Sequence, residues 1–274
     1  MLFEELQSLM IKYRFRANKK LAQHFIINKA VIEKLVETAM LEKRDVVLEI
    51  GAGTGFLTRK LAKKSKVVAF ELDEKLCTLL ENELPEKAEL FCQDFLKAKL
   101  PVFSKVVALP PYSHSAEIMY KLLENDFELA ALVFQREFAE KLSAFPGFAQ
   151  YSALSVITQA SFEASVIERV LPGAFFPKPK DESCIVLLKK RKNSQLAGDK
   201  KLFALFVKTV FRFRNKNVKN ALSKGKQFLL TPLGLDSKQF DERVQGLKLL
   251  DEKVDLIPVD SFVEMFSGVM KASR

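Results

Sequence analysis

The chain has 274 residues, 48% of them hydrophobic and 28% charged, which excludes wholesale disorder and predicts a sizeable buried core. Its formal net charge of +10 favours a polyanionic partner, nucleic acid foremost, over an acidic or neutral one. No segment approaches the roughly 20 apolar residues of a membrane span, and the first residues mix Glu, Lys and Arg with apolar side chains, unlike a signal peptide.

A membrane is therefore not an expected partner, and the cytosol is the expected location. The cysteines, Cys77, Cys92 and Cys184, are widely spaced and form no C-x-x-C metal pair. They read as buried free thiols of a reducing compartment, with no metal site.

The first periodic segment is 29–40, where Val31, Ile32, Leu35, Val36 and Ala39 recur at helical spacing. A short β-rich run, Asp45 to Ile50, follows and ends in Gly51-Ala52-Gly53-Thr54-Gly55, after which Phe56 to Lys64 reads as helix. A second strand covers Lys66 to Glu71, and a helix covers Leu76 to Leu84. A third strand, Ala88 to Cys92, leads into Gln93-Asp94. A fourth, Val106 to Ala108, runs into Leu109-Pro110-Pro111-Tyr112; a fifth covers Leu129 to Phe134 and a late one Ile185 to Lys189. Strands alternating with helices at this pace predict an α/β fold with a mostly parallel sheet, covered on both faces and so built from nearly continuous apolar strands. Near residue 190 the pattern changes. Lys189 to Ser194 is a basic, polar stretch suited to a linker, and beyond it helical stretches predominate. The expected division is residues 1–190 and a smaller helical domain, residues 191–274.

Glycines between a strand and a helix let a ligand approach the backbone and the free N–H groups of the helix N-terminus. Alone this loop is also that of nucleotide-dependent dehydrogenases. The next strand end carries Glu71, roughly 20 residues past the glycines, where a carboxylate suits a ribose diol. The third carries Asp94, placed to accept from an adenine amino group. Gly51, Gly53, Glu71 and Asp94 at successive strand ends are what a nucleoside ligand requires.

With these motifs in place, the chain resembles the KsgA-type family of ribosomal RNA adenine dimethyltransferases. Lys19 to Phe25 is similar to the family's K-x-x-G-Q-N/H-F motif, Glu49 to Gly53 to its E-I-G-x-G loop and Glu71 to Asp73 to its E-x-D segment. Phe134 to Leu142 resembles its Q-x-E-x-A-x-R-L helix, Phe175 to Ser183 its F-x-P-x-P-x-V-x-S element and Arg214 to Leu222 its basic C-terminal helix. The resemblance implies a Rossmann-like class I S-adenosylmethionine methyltransferase domain with a smaller helical C-terminal domain that helps bind RNA. It implies S-adenosylmethionine as cofactor, held by Gln23, His24, Ile26, Gly51, Gly53, Glu71 and Asp94. The implied partner is small-subunit ribosomal RNA or the immature small ribosomal subunit, and a monomer is expected.

Two departures from the family matter. Its motif glycine is Ala22 here, and its catalytic turn N-[LI]-P-[YF] reads Leu109-Pro110-Pro111-Tyr112, so a hydrophobic side chain stands where the family has the Asn acceptor. The retained Pro-Pro-Tyr also fits the broader [DNS]-P-P-[YFW] pattern that some cytosine N4 enzymes use. Three outcomes stay open: adenine N6 dimethylation, the family default; a cytosine N4 target; or a non-catalytic RNA-binding ribosome-assembly factor. In the enzyme readings Leu109, Pro110, Pro111 and Tyr112 form the catalytic turn, with Tyr112 stacking on an extruded base and Phe175 or Phe176 closing its other face. His114, just after the turn, is a source of polarity. The expected RNA contacts are Lys178, Lys180, Arg212, Arg214, Lys216 and Lys219, beside Lys224 and Lys226 and the aromatic Phe211 and Phe213.

Overall fold

The computed structural model describes residues 1–192 and 199–270, so Asn193 and Ser194 of the expected linker lie outside the described residues. The chain forms two compact units: Met1–Ala139 with Ser165–Lys190, and Glu140–Ala164 with Arg191–Arg274.

The first unit opens with helix α1 (Leu2–Lys12), then strand β1 (Phe25–Ile26) and helix α2 (Lys29–Thr38), whose first N–H groups are capped by the Asn28 side chain. Strands β2 (Val46–Ile50), β3 (Lys66–Glu71), β4 (Ala88–Cys92), β5 (Lys105–Ala108) and β6 (Leu129–Gln135) alternate with helices α3 (Phe56–Leu61), α4 (Glu74–Glu83) and α5 (Ser115–Leu123). After helices α6 (Arg136–Leu142) and α7 (Ala153–Ser161) come strands β7 (Phe162–Val170), β8 (Phe175–Phe176) and β9 (Ser183–Lys190). Seven strands form one sheet in the order β4-β3-β2-β5-β6-β9-β7, and β1 pairs antiparallel with β8.

Strands β2 to β6 run parallel, and β9 lies antiparallel to β6. The inner strands β2, β3, β5 and β6 are nearly wholly apolar because both sheet faces are covered there: Val47, Leu48, Ala69, Val106, Val107 and Leu132 have no exposed surface, whereas the edge strand β4 has no buried residue. The strand order reverses at β2, with β3 and β4 on one side and β5 and β6 on the other. A reversal of this kind opens a crevice at the carboxyl ends of the strands, where ligands of open α/β sheets bind. The strands expected at 45–50, 66–71, 88–92, 106–108, 129–134 and 185–189 are all present within a residue or two. Strand β7 was not anticipated. Six of its nine residues are exposed, so it lacks the apolar run of its neighbours.

The second unit holds α7, helix α8 (Lys200–Phe211), helix α9 (Val218–Leu233), helix α10 (Ser237–Gln245) and helix α11 (Val259–Met270). It differs from the expected 191–274 in that Glu140–Ala164 joins it. The reason is packing. Tyr151 is fully buried, lies edge-on to Phe211 at 5.7 Å and donates its hydroxyl to the Ile257 carbonyl at 2.7 Å. Phe203 and Phe206 meet Phe266, and Phe211 stacks on Phe262, giving an aromatic core. Among the described residues no helix is long and apolar enough to cross a membrane.

Candidate functional site

The carboxyl ends of β2, β3, β4 and β5 converge on one pocket of the first unit. After β2 the chain turns through Gly51 (φ +74°), Gly53 (φ +58°) and Gly55 (φ +75°), left-handed conformations that strain any residue with a Cβ. The turn is fixed by the Gly51 and Ala52 N–H groups, which donate to the Phe70 carbonyl at 2.8 and 3.0 Å. It is bridged to the end of β3 by the Gly53 N–H, which donates to Glu71 Oε2 at 2.8 Å.

Glu71 is 7% exposed yet lines the pocket. Its Oε1 accepts from the N–H groups of Leu72 and Asp73, at 2.8 and 2.9 Å, so Oε2 keeps the spare acceptor capacity. Burial raises its carboxyl above the ordinary value; the three N–H donors and the nearby Asp73 charge act in opposite senses on it. Gln23 joins the wall by donating from Nε2 to Asp73 at 2.9 Å, while its Oε1 accepts the Asn18 N–H. Asp94 folds its own loop, accepting the Leu96 N–H at 2.9 Å.

Directly ahead of the glycines, Glu49 is 1% exposed and its Oε2 has no hydrogen-bond partner among the described residues. Burial, reinforced by the Glu71 charge, pushes its carboxyl up to about 8.

The Leu109–Tyr112 turn forms the facing wall. It lies against the glycine loop: a Cβ on Gly51 would stand 3.7 Å from Pro111 Cδ and 3.9 Å from the Leu109 carbonyl oxygen. The Tyr112 hydroxyl is 2.7 Å from Oγ of the fully buried Ser183, and burial pushes the phenol up to about 12, so it stays neutral. The His24 ring stacks near Tyr112, with centroids 5.9 Å apart and planes 25° from parallel. His24 Nδ1 is 2.6 Å from the Pro177 carbonyl, which can only accept, so Nδ1 carries the hydrogen.

All the residues expected at the catalytic and cofactor positions line this pocket except Ile26 and Phe176. Ile26 is buried in β1, register-paired with Phe175, and Phe176 packs edge-on to Phe3 at 5.3 Å. Phe175 lines the pocket but is 3% exposed and meets Tyr112 edge-on, 6.5 Å away at 77°. His114 also lines it, with Nδ1 2.8 Å from the Ser113 hydroxyl. Sequence reasoning passed over Ser183 and Lys121. Lys121, on α5, donates to the carbonyls of Phe95 and Ala98 at 2.5 and 2.6 Å, clamping the Asp94 loop. Nothing local in the sequence marks Lys121, and Ser183 is marked only as the last residue of the Phe175–Ser183 element, with no sign of its bond to Tyr112, 71 residues away.

The cysteine expectation is corrected at this wall. Cys77 and Cys92 are joined as a disulfide, with Cα atoms 5.9 Å apart. Cys92 is register-paired with Glu71, and α4 folds back to set the Cys77 sulfur beside the Glu71 carbonyl. Only Cys184 fits the expectation of a buried thiol.

Of the expected RNA contacts, Lys178 and Lys180 are exposed in the first unit. In the second unit Arg212, Arg214 and Lys216 precede α9 rather than riding on it, since Asn217 caps that helix. The Arg212 guanidinium lies 4.7 Å over the Phe228 ring, and Lys224 sits over Phe213. Lys216 and Lys219 are exposed, while Lys226 is paired with Asp241 at 2.6 Å.

The chain matches the family model described as ribosomal RNA adenine dimethylase over residues 14–239. A probable ribosomal RNA small subunit methyltransferase A of Pyrococcus abyssi is 40% identical over 223 residues, 81% of each chain. Its namesake from Methanococcus aeolicus is 42% identical over 211 residues, 75% of this chain and 78% of that one. Among solved structures, a dimethyladenosine transferase from Plasmodium falciparum is 25% identical with a TM-score of 0.73, covering 88% of this chain and 96% of that one. The 23S rRNA methyltransferase ErmE is 26% identical with a TM-score of 0.64, covering 90% of this chain and all of that one. The doubly wound sheet is thus that of the class I methyltransferases, and the chain belongs to the ribosomal RNA adenine dimethylase family.

Proposed function

We propose that this protein transfers methyl groups from S-adenosylmethionine to the N6 amine of adenine in small-subunit ribosomal RNA, adding two per base. The observation that carries this reading is one pocket in which the glycine loop, Glu71 and Asp94 face the Leu109–Tyr112 turn. The residues fit the donor. Gly51 and Gly53 leave bare backbone, the buried Glu71 Oε2 can take a ribose hydroxyl, and Asp94 can take the adenine amino group. Bound there, S-adenosylmethionine supplies an electrophilic methyl group.

The chain's own work is aiming. A base amine is a poor nucleophile because its lone pair is delocalised into the ring, and acceptors on its hydrogens localise that pair. The Pro110 carbonyl is one acceptor. Leu109 brings no side-chain acceptor, but its carbonyl stands by the glycine loop as a second main-chain oxygen. Pro110 and Pro111 stiffen the turn. Tyr112, pinned through its hydroxyl to Ser183, offers its ring to a base drawn out of its stack.

The test is purified protein with methyl-labelled donor and immature small subunits, followed by nucleoside mass analysis. Dimethyladenosine supports the proposal. Methylcytidine replaces it with the cytosine N4 reading that the Leu-Pro-Pro-Tyr turn leaves open. No methyl transfer with normal donor binding makes the protein a non-catalytic assembly factor.

A further inference from the structure

The loop between α6 and α7 holds two phenylalanines in water. Among the described residues, which include all 24 Phe, only Phe145, Phe148 and Phe228 are exposed phenylalanines, and Phe228 lies under the Arg212 guanidinium. Phe145 is 67% and Phe148 62% exposed, and Leu256, 48% exposed, lies against Gly147 between them.

This exposure does not come from a loose backbone. The Gly147 N–H donates to the Asp255 carbonyl at 2.8 Å, and the Phe148 and Tyr151 N–H groups donate back to Phe145 and Phe148 at 3.2 and 3.0 Å. Upstream, Gln159 Nε2 donates to the carbonyls of Leu142 and Ala144 at 3.0 and 2.8 Å. Downstream, Tyr151 is locked in the core. The backbone is held while two of its three aromatic side chains, Phe145 and Phe148, face solvent, the reverse of what folding alone favours.

Two cations stand beside the loop. Arg214 reaches the Ala149 carbonyl at 3.4 Å and meets Asp255 at 3.8 Å, so the nearby acid is already met by a cation. The exposed Lys216 is tied to the same place by its carbonyl, which accepts the Val254 N–H at 3.0 Å. Rigid aromatic faces beside cations are the chemistry that holds unpaired RNA: bases stack on the rings and phosphates meet the charges.

We propose that Phe145 and Phe148 form a stacking platform for unpaired bases of RNA, with Arg214 and Lys216 as its phosphate contacts. The RNA partner rests on the methyltransferase reading, but the platform is tested without turnover. Affinity for a labelled, unstructured oligoribonucleotide and for a duplex RNA is measured across a salt series. The wild type is compared with the double variant Phe145→Ser/Phe148→Ser, after thermal unfolding has verified an unchanged fold.

The expected result is at least a tenfold loss for the unpaired strand, little loss for the duplex, and an unchanged salt slope. Phe145→Trp/Phe148→Trp restores binding. Arg214→Gln/Lys216→Gln instead flattens the slope, by about 0.7 for each lost phosphate contact. Unchanged affinity for the unpaired strand, or equal loss for strand and duplex, overturns the platform. So does a defect confined to intact immature subunits, which assigns the loop to a protein partner. If the wild type transfers no methyl while the serine variant still loses strand affinity, the platform stands and the enzyme reading alone fails.

Discussion

Replacing Glu49 with Gln tests the electrostatics beneath the glycine loop. The carboxyl is 1% exposed, its Oε2 lacks a partner among the described residues, and burial moves its titration from the ordinary 4.5 to about 8. The unfolded chain releases this proton near 4.5, and the folded protein keeps it until about 8. Between these values the folded state binds more protons, so stability falls as pH rises. Below the window the group contributes nothing to the pH dependence, and above it the cost is constant. At 1.36 kcal/mol for each pH unit, the full interval corresponds to a loss on the order of 4–5 kcal/mol. Glu49→Gln keeps the shape and removes the titration. The variant's stability minus the wild type's, from denaturant midpoints of the ligand-free protein, should therefore grow steadily from pH 5 to pH 8 and then level off. The slope is the diagnostic, because any packing change made by the amide shifts the whole curve equally. A difference that stays constant over the window, or shrinks with rising pH, refutes the reasoning.

Other perturbations probe the pocket and the second unit. Glu71→Ala removes a charged acceptor worth about 1.5–3 kcal/mol, so calorimetry should find S-adenosylmethionine bound roughly 10- to 100-fold more weakly. Tyr112→Ala should abolish methyl transfer while sparing donor affinity, and Tyr112→Phe, losing only the Ser183 bond, should retain most of the rate in the labelled-donor assay. Lys121→Met frees the Phe95 and Ala98 carbonyls, so steady-state kinetics should show the donor KM rising by about tenfold with kcat within about twofold, Lys121→Arg being intermediate. Gly225→Ala forces a Cβ to 2.6 Å from Thr209 Cγ2 and should cost about 1–3 kcal/mol of packing in thermal unfolding, against at most about 1 kcal/mol regained in helix propensity.

The legible parts of the molecule were those whose cause is local. A parallel strand buried on both faces must be apolar along its length, so β2, β3, β5 and β6 stood out, and the glycines at positive φ marked the turn where the pocket forms. Strand β7 did not, because Glu163, Glu168 and Arg169 interrupt a run whose exposed positions impose no pattern. The same limit applies within the site. Tyr112 could be read from its turn, but its Ser183 anchor is 71 residues away. The Cys77–Cys92 pair depends on α4 folding back over β3 and β4, and spacing alone does not dictate that geometry. Phe175 and Phe176 looked equivalent in sequence, whereas the alternation of a strand sends one ring to the pocket and the other to Phe3.

The second unit is discontinuous: the chain enters it at Glu140, leaves after Ala164 and returns at Arg191. During synthesis from the N-terminus, the sheet still lacks β7 and β9 when α7 emerges, and α7 must wait for α8 and α11 before its apolar face is covered. Neither unit is a cassette that can be cut away at residue 190. A chain ending there keeps α7 and the Tyr151 side chain but loses Phe211 and Ile257, the groups that bury them. A graftable RNA-binding module would have to carry Glu140–Ala164 as a separate piece, so recombination that swaps whole contiguous tails would leave both halves with exposed core.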